Sequence, residues 1–502
     1  MIVKKRLRIL WFIATLMIFA AVSAFYLNKE KSYCMGVPVI DEAQLASMGE
    51  NVQTDISGII MFGGYPAAID KENYTIYISQ KIDENTLYTD LEHNFTAEDY
   101  GYKMYFVEDK NLYDIYNAVK NGYPFRLILS KNGQKEYVQY NVVLTTLPVV
   151  NVTGEFSHIK DGDGRNVYAG DITVWDCFNG STQSYRVQNS PLEWNRRGQS
   201  SFDAEKKPIK LSLKNSKGEK SNLDLAGLGQ SDDDWILNSM PKEKSRIREM
   251  LCMDLWNQLY ETTSAYNYKM STGVYTEVVM NGSYYGLYLL QRRIDAKYLG
   301  LDSDDVLLKG YKGTDVEEIY HNFEIAESVY EEEAVNSFIA DIYERGDVSP
   351  IQLKNWMDVN LFTVFGNMKD NMAYHNCFYI IRDFDTYPKM SFVLWDTDIS
   401  FGIRNDQKTQ PRLEMELLKK QYPDIDRMLA ERWFELRDSV LSKDNICAVI
   451  EKNSAVINEA ASLARDYHRW DEDIDNRAKE SVCEFVDNRL ELLDKYYGEI
   501  LN

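Results

Sequence analysis

Runs of alternating apolar and polar residues occupy the chain between positions 51 and 147. A strand places successive side chains on opposite faces, so this alternation predicts half-buried β-strands. With turn signals such as Lys131-Asn132-Gly133, the runs predict a small β-sandwich of the immunoglobulin type over 51–147, although Asn111–Lys120 could be a helix. The runs are YTIYISQ (Tyr74–Gln80), YKMYFVE (Tyr102–Glu108), PFRLILS (Pro124–Ser130) and EYVQYNVVL (Glu136–Leu144).

After position 148 the pattern mixes strands with helices. Ile247, Leu251 and Leu255 recur every four residues and predict an amphipathic helix of about 18 residues from Lys242. Asn281-Gly282 lies between two apolar runs, which is a strong hairpin signal. Further strands are predicted at Asp171–Trp175, Ser184–Gln188 and Pro208–Leu213, a helix at Asn355–Phe365, and a helical region from about 411 to the end. The fold class predicted for 148–502 is therefore α+β with a helical C-terminal part.

The N-terminus differs from the rest of the chain. Residues 1–8 are basic, and the 19 residues that follow, ILWFIATLMIFAAVSAFYL at 9–27, carry no charge. As a helix this run measures about 28 Å, roughly the thickness of a bilayer core. We expect a membrane anchor with 1–8 in the cytoplasm, 28–50 as a linker and the bulk of the chain extracytoplasmic. The alternative is a secreted protein whose signal peptide is cleaved after Val22-Ser23-Ala24.

Composition narrows the classes of function. The formal net charge is -22, which argues against a nucleic-acid partner because phosphate backbones bind basic surfaces. The six cysteines form no CxxC pair, and the five histidines have no HExxH spacing. Zinc sites of the usual kinds are therefore not indicated.

Acidic and amide side chains mark the ends of two predicted strands. In VLWDTDISFG, Asp396 and Asp398 follow an apolar run and share one side of an extended chain. Their like charges repel unless a cation or hydrogen bonds intervene. A hairpin would bring Asp370 and Asn376 to the same end, and such oxygens are ligands that Mg²⁺ prefers. The alternative is that these residues cap turns or pair with arginines.

Five separated blocks resemble the spore coat protein H (CotH) kinase family in the same order. They are RGQSS…KKPIKL, DDDWILN with the IRE…DL helix after it, NGSYYGLYLL, the Asp370-x5-Asn376 block, and WDTDISFG. The resemblance covers roughly 148–495. It implies an atypical protein-kinase-like fold that binds ATP with Mg²⁺ or Mn²⁺ and phosphorylates Ser or Thr of a surface or coat protein.

The resemblance assigns roles to four residues at one end of the predicted hairpin. Asp370 matches the catalytic-loop aspartate and would be the general base. Asn376 and Asp396 match metal ligands, and Asp398 matches a second acid that would bind the metal or support a ligand. Protein kinases use this set because phosphoryl transfer depends mainly on positioning and charge neutralisation.

The chain lacks a glycine-rich phosphate loop, so basic side chains must hold the phosphates. Lys206, Lys207 or Lys210 would reach them, unless these lysines merely form a solvated strand face. Arg248 matches the arginine of the family's I-R-N helix start and could pair with an acid or a phosphate.

One position departs from the family pattern. Many members resemble V-E-K-I-D where this chain, aligned on Asp295, has Arg292 in place of the glutamate. Gln291 or Glu277 could compensate. The departure leaves open a non-catalytic envelope scaffold with a degenerate kinase-like domain, and a weaker alternative is glycan hydrolysis by paired carboxylates.

Overall fold

A computed structural model describes most of the chain, and two compact units are distinguished in it. The first comprises Met1–Thr146 with Cys177–Val187, and the second comprises Leu147–Asp176 with Gln188–Asn502. The described residues are 33–97, 101–154, 166–177, 186–198, 201–229, 231–310, 322–372, 375–403 and 411–502. No helix within those ranges is long and apolar enough to cross a membrane. The predicted anchor at 9–27 lies outside them.

The first unit is mostly sheet. Its described strands are β1 (Tyr33–Cys34), β2 (Val37–Ile40), β3 (Glu50–Asn51), β4 (Ile60–Phe62), β5 (Tyr65–Pro66), β6 (Ala68–Asp70), β7 (Thr75–Ser79), β8 (Phe95–Ala97), β9 (Tyr102–Val107), β10 (Phe125–Lys131) and β11 (Glu136–Thr145). Its helices are α1 (Glu42–Ser47) and α2 (Ile115–Lys120), with 3₁₀ turns at Ser57–Ile59, Tyr88–Asp90 and Lys110–Tyr113.

Strand pairing in this unit mixes directions. The larger sheet has the order β1-β2-β9-β10-β11-β7-β6, with β3 beside β11, and a smaller sheet has the order β5-β4-β8. The pairs β2–β9, β3–β11 and β7–β11 are parallel. Alternation of apolar and polar residues along one strand identifies the two faces of that strand but not the strands beside it. The alternating pattern alone therefore could not determine whether the sandwich is of the immunoglobulin type. From Tyr33 onward, the segment predicted as a linker contributes β1, β2, α1 and β3.

The second unit begins with a closed barrel. Its strands are β12 (Val149–Gly154), β13 (Tyr168–Asp176), β14 (Arg186–Arg196), β15 (Ile209–Leu213), β16 (Asp234–Asn238), β17 (Gly273–Met280) and β18 (Ser283–Arg292), in the order β12-β13-β14-β15-β16-β18-β17. Alternate side chains such as Val150, Leu211 and Leu290 fill the interior. The predicted hairpin at Asn281-Gly282 is confirmed, and both turn residues have the positive φ that a tight hairpin requires.

An antiparallel sheet and helices complete this unit. The sheet has the order β20-β19-β21-β22, from β19 (Val306–Gly310), β20 (Phe323–Glu327), β21 (Cys377–Arg382) and β22 (Lys389–Leu394). The helices are α3 (Arg248–Thr263), α4 (Ala296–Leu299), α5 (Glu332–Tyr343), α6 (Leu353–Gly366), α7 (Lys369–Met372), α8 (Met415–Gln421), α9 (Ile425–Arg437), α10 (Lys443–Glu459), α11 (Ser462–Arg469) and α12 (Ala478–Leu501). The unit is thus mixed α+β, and its main core lies among these helices and the sheet.

A second apolar cluster joins the outside of the barrel to the sheet. Ile236 of β16 packs in it with Phe378 and Ile380 of β21 and with Val393 and Trp395 at the end of β22. We call the junction of barrel and sheet along this cluster the cleft, and the cluster its floor. Two predicted site residues, Asn376 and Asp396, adjoin this floor because each is a neighbour of Trp395.

Candidate functional site

The β21–β22 hairpin brings Asn376 and Asp396 together. Cys377 pairs with Leu394, so the residues just outside the hairpin, Asn376 and Trp395, are neighbours. The Trp395 amide donates to the Asn376 carbonyl at 2.9 Å, and Asn376 Nδ2 donates to the Asp396 carbonyl at 3.3 Å. Asn376 and Asp396 both have positive φ, a conformation that Asn and Asp tolerate better than most residues.

Asp370 lies beside this pair because its neighbour is bonded to both strand ends. Asn371 Nδ2 donates to the Asn376 carbonyl at 2.8 Å and to the Trp395 carbonyl at 2.9 Å. Asp370, the preceding residue of α7, is partly exposed. The structure therefore gathers Asp370, Asn376 and Asp396 at one end of the hairpin.

Helix α3 holds the segment that carries the two aspartates. Glu249 Oε2 accepts from the Thr397 amide at 2.6 Å and from Thr397 Oγ1 at 2.9 Å. One turn later, Cys252 Sγ lies 3.5 Å from Ser400 Oγ. The carboxylate segment is thereby fixed to the first turns of α3.

Glu249 adds a third acid beside the aspartates. Its side chain is 1% exposed, and Oε1 has no hydrogen-bond partner among the described residues. Burial, assisted by the charge of Asp396, raises the pKa of Glu249 to about 7, against the hydrogen bonds from Thr397 and the charge of Arg197. Burial also raises the pKa of Asp398 well above its usual range, and the charges of Asp396 and Glu249 act in the same direction.

Two cations face these acids. The guanidinium of Arg197, just after β14, lies 5.2 Å from the centre of the Trp395 ring. Burial lowers the pKa of Arg197, and the charges of Asp396 and Glu249 oppose that change. Burial likewise lowers the pKa of Lys309 on β19; Glu324 opposes this change and Arg197 adds to it. We call Arg197, Lys309, Glu249, Asp396 and Asp398 the cleft cluster.

The lysines and the arginine predicted to bind phosphate are mostly engaged elsewhere. Lys206 Nζ lies 2.7 Å from Asp466 Oδ1 and is buried, and burial lowers the pKa of Lys206 to about 8. Arg248 forms a buried ion pair with Glu243, and its Nε donates to the Phe401 carbonyl at 3.2 Å. Both side chains therefore contribute to internal structure.

The other two predicted lysines differ in position. Lys207 is buried, and its carbonyl accepts from the Tyr288 hydroxyl at 3.0 Å. Lys210 pairs across the sheet with Ile236, a residue of the cleft floor, and its Nζ lies 3.3 Å from Asp234 Oδ2. Of the four basic residues predicted, Lys210 is thus the one on the cleft face of the barrel.

Arg292 is held in a buried ion pair. Its guanidinium lies 2.6 Å from Asp232 Oδ2, with both side chains buried, and 5.5 Å from the Trp235 ring. Gln291 projects from the opposite side of β18, beside Ile236. It is 1% exposed, and both of its amide atoms lack partners among the described residues. The side chain of β18 that lies beside the cleft floor is therefore Gln291, an amide that cannot form an ion pair.

The donor atoms suit a hard divalent cation. Two carboxylates and an amide oxygen, from Asp396, Asp398 and Asn376, are the oxygen types that Mg²⁺ takes. Within the described ranges, no group of three or more His, Cys, Asp or Glu side chains is arranged to bind a metal. The predicted ligands are two acids and an amide, and Glu249, the third acid of this region, does not complete such a group with Asp396 and Asp398.

Sequence reasoning did not assign Arg197, Glu249 or Lys309. Arg197 is the first residue of the RGQSS block, and Glu249 directly follows Arg248, so both lay in or beside segments that the sequence had singled out. Lys309 carried no local signal, because its position depends on the pairing of β19 with β21.

Comparison with known proteins adds one match. The family model described as CotH kinase protein matches residues 195–493, well over half of the chain. The matched segment contains every residue of the cleft cluster. No curated protein matches the chain.

Proposed function

Because the chain belongs to the CotH kinase family, we propose that it transfers the γ-phosphoryl group of ATP to Ser or Thr of a surface or coat protein. The observation that carries this proposal is the gathering of Asp370, Asn376 and Asp396 at one end of the hairpin. Arg197 and Lys309 face that end with positive charge. This arrangement supplies a base, metal ligands and phosphate-binding cations in one cleft.

Each residue has a separate task in this proposal. Asp370 accepts the proton of the acceptor hydroxyl as its oxygen bonds to the γ-phosphorus and the bond to the leaving ADP oxygen breaks. Asn376 and Asp396 would hold Mg²⁺ or Mn²⁺, which when bound neutralises phosphate charge. Arg197 and Lys309 bind phosphate oxygens through charge-assisted hydrogen bonds.

We propose further that the protein acts outside the cytoplasm, tethered by residues 9–27. The support is the basic start at 1–8 followed by 19 uncharged residues. The alternative is release after cleavage at Val22-Ser23-Ala24. Immunoblotting of membrane and medium fractions, with an N-terminal sequence of the mature chain, separates the two.

A non-catalytic scaffold is the second candidate. The observation that favours it is that Lys206 and Arg248 are used in ion pairs with Asp466 and Glu243. The phosphate-binding charge then rests on fewer cations than a kinase-type site was expected to have. A scaffold would keep the fold and show no metal-dependent nucleotide binding.

Thermal melts distinguish these candidates. The full-length chain, purified in a mild detergent, is melted with ATP, with and without Mg²⁺ or Mn²⁺, beside Asp396→Asn. A functional site at 100 times its Kd adds about 2.7 kcal/mol of stability. We expect a metal-dependent rise in wild type that Asp396→Asn lacks. An equal response, or none, in both proteins would favour the scaffold.

A further inference from the structure

Two helices of the C-terminal part run antiparallel and are joined by two ion pairs. Lys443 Nζ on α10 lies 2.9 Å from Asp487 Oδ1 on α12. Glu451 Oε1 on α10 lies 3.0 Å from Lys479 Nζ on α12. As the residue number rises along α10, the number of its partner falls along α12. The two pairs therefore fix the register of the two helices.

Each helix carries a cysteine midway between its two paired residues. Cys447 follows Lys443 by four positions and precedes Glu451 by four. Cys483 has the same spacing from Lys479 and Asp487. Residues four apart lie on one face of a helix, so each cysteine lies on the face that makes the ion pairs. The register then sets Cys447 opposite Cys483.

The electrostatic surroundings of Cys483 agree with this register. Burial raises the pKa of the Cys483 thiol, and the charges of Cys447 and Glu451, both on α10, act in the same direction. Both cysteines are partly exposed, and both are free thiols. Helices pack with their axes about 8–10 Å apart, and a disulfide needs Cα atoms within about 7 Å, which facing residues can satisfy.

We propose that Cys447 and Cys483 are a disulfide-forming pair that links α10 to α12. The oxidant is a small-molecule disulfide. The thiolate of one cysteine attacks it, forms a mixed disulfide and releases one thiol. The second thiolate attacks the protein-bound sulfur, releases the second thiol and closes the Sγ–Sγ bond. Two protein thiols are oxidised, one disulfide is reduced to two thiols, and the two protons pass to the released thiolates.

The remaining cysteines are poor competitors. Cys34, Cys177, Cys252 and Cys377 are all buried. A dissolved disulfide reaches buried thiols poorly, whereas Cys447 and Cys483 are partly exposed. Burial also raises the pKa of the Cys252 thiol to about 12 and that of Cys377 to about 11. A gentle oxidant should therefore act on the pair between α10 and α12 before it acts on these thiols.

The test is oxidation of the folded full-length chain in detergent with oxidised glutathione. Free thiols are then blocked with N-ethylmaleimide, and the protein is digested and mapped without reduction. We expect one cross-linked peptide pair containing Cys447 and Cys483, with the mass reduced by two hydrogens. The melting temperature should rise relative to reduced protein, because the link restricts the unfolded chain.

Single variants supply the controls. In Cys447→Ser or Cys483→Ser, the remaining cysteine should carry a glutathione adduct, with no cross-link and no rise in melting temperature. Adducts on both cysteines of the wild type without a cross-link would overturn the proposal, as would a link to any other cysteine. The result does not depend on kinase activity, so it is independent of the proposed function.

Discussion

Two charge clusters of the second unit differ in how fully their charges are paired. One, the paired cluster, contains Lys206, Arg246, Asp466 and Glu472. Asp466 Oδ1 lies 2.7 Å from Lys206 Nζ, and its Oδ2 lies 3.0 Å from Arg246 Nε. Glu472 Oε1 lies 2.8 Å from Arg246 Nη2. Two cations thus meet two acids at short distances.

The cleft cluster has a different balance. It sets two cations, Arg197 and Lys309, against three acids, and no ion pair within 4.0 Å joins them in the described part of the chain. Oε1 of Glu249 also lacks a partner there. Incompletely paired charge at a partly buried place is costly, so we expect a ligand that completes the pairing to stabilise this region. The comparison associates full pairing with the cluster that holds the fold together, and incomplete pairing with the cluster to which we assign binding.

The largest expected effect is on phosphoryl transfer. Asp370→Asn removes the proposed base while keeping the size of the side chain. We expect transfer to a protein substrate to fall about 10²–10⁴-fold, as for other general bases, with metal-dependent ATP binding retained. Phosphate incorporation and ATP-dependent melting, measured on the same preparation, check this. Transfer that persists at the wild-type rate would remove Asp370 from the mechanism.

The paired cluster should respond in stability instead. Asp466→Ala leaves Lys206 and Arg246 buried without their shared acid, and we expect a loss of roughly 3–5 kcal/mol in the free energy of unfolding. Urea unfolding measures it. Glu472→Ala is the matched control, because Glu472 is more exposed and contacts only one of the two cations among the described residues. Equal losses in both variants would contradict the central role given to Asp466.

Gly286 supports the view that the paired cluster is a fitted structural element. Its φ is +101°, and an added Cβ would contact Asp466 Oδ1. Asp466 Oδ1 also accepts from the Leu287 amide at 3.0 Å. The Asp466 carboxylate is therefore held both by a backbone amide and by the side chains of Lys206 and Arg246.

The third expected effect is a pH dependence of stability, caused by Glu249 of the cleft cluster. The pKa of Glu249 is raised from 4.5 to about 7 in the folded state, so folded protein holds this proton where unfolded protein has lost it. Stability should fall as pH rises from about 4.5 to 7, by roughly 3 kcal/mol in total. Below that window the carboxyl is protonated in both states, and above it the full loss is present.

Glu249→Gln tests this directly, since glutamine keeps an acceptor for Thr397 and cannot ionise. The variant should match wild type near pH 4.5 and exceed it in stability at pH 8 in the absence of metal. Glu261→Gln, at an exposed position of the same helix, should leave the pH profile unchanged. Parallel profiles for Glu249→Gln and wild type would show that this carboxyl does not titrate in the window.

Local sequence signals predicted much of the second unit. Asn281-Gly282 determined a hairpin, and α6 (Leu353–Gly366) extends the predicted helix by two residues at its start and one at its end. Where the signal was weaker, boundaries moved: the helix predicted from Lys242 begins at Arg248, since an apolar period does not define the first turn. The meeting of Asn376 with Asp396 also follows from a local hairpin.

Contacts between distant segments could not be predicted from local patterns. Lys206 and Asp466 are 260 positions apart, and neither carries a motif that names the other. Glu249 and Thr397 are 148 positions apart. Which basic side chain lies beside the cleft depends on such contacts, and for that reason local patterns could not rank Lys206 against Arg197.

The smallest expected effect compares one cation from each cluster. Arg197→Gln removes a charge that we assign to ATP, and charge-assisted hydrogen bonds contribute about 1.5–3 kcal/mol, so affinity for Mg²⁺-ATP should fall roughly 10–100-fold. Its stability should fall less than that of Lys206→Gln, because Arg197 makes no short ion pair in the described part of the chain. Lys206→Gln should do the reverse: lower the stability by leaving Asp466 less compensated and keep the affinity of the folded protein. Calorimetric titration with ATP and Mg²⁺, beside urea unfolding of both variants, reads the two effects separately. If the two variants lost affinity alike, the pairing of charges would not distinguish binding from structure in this unit, and the assignment of Arg197 would have to be abandoned.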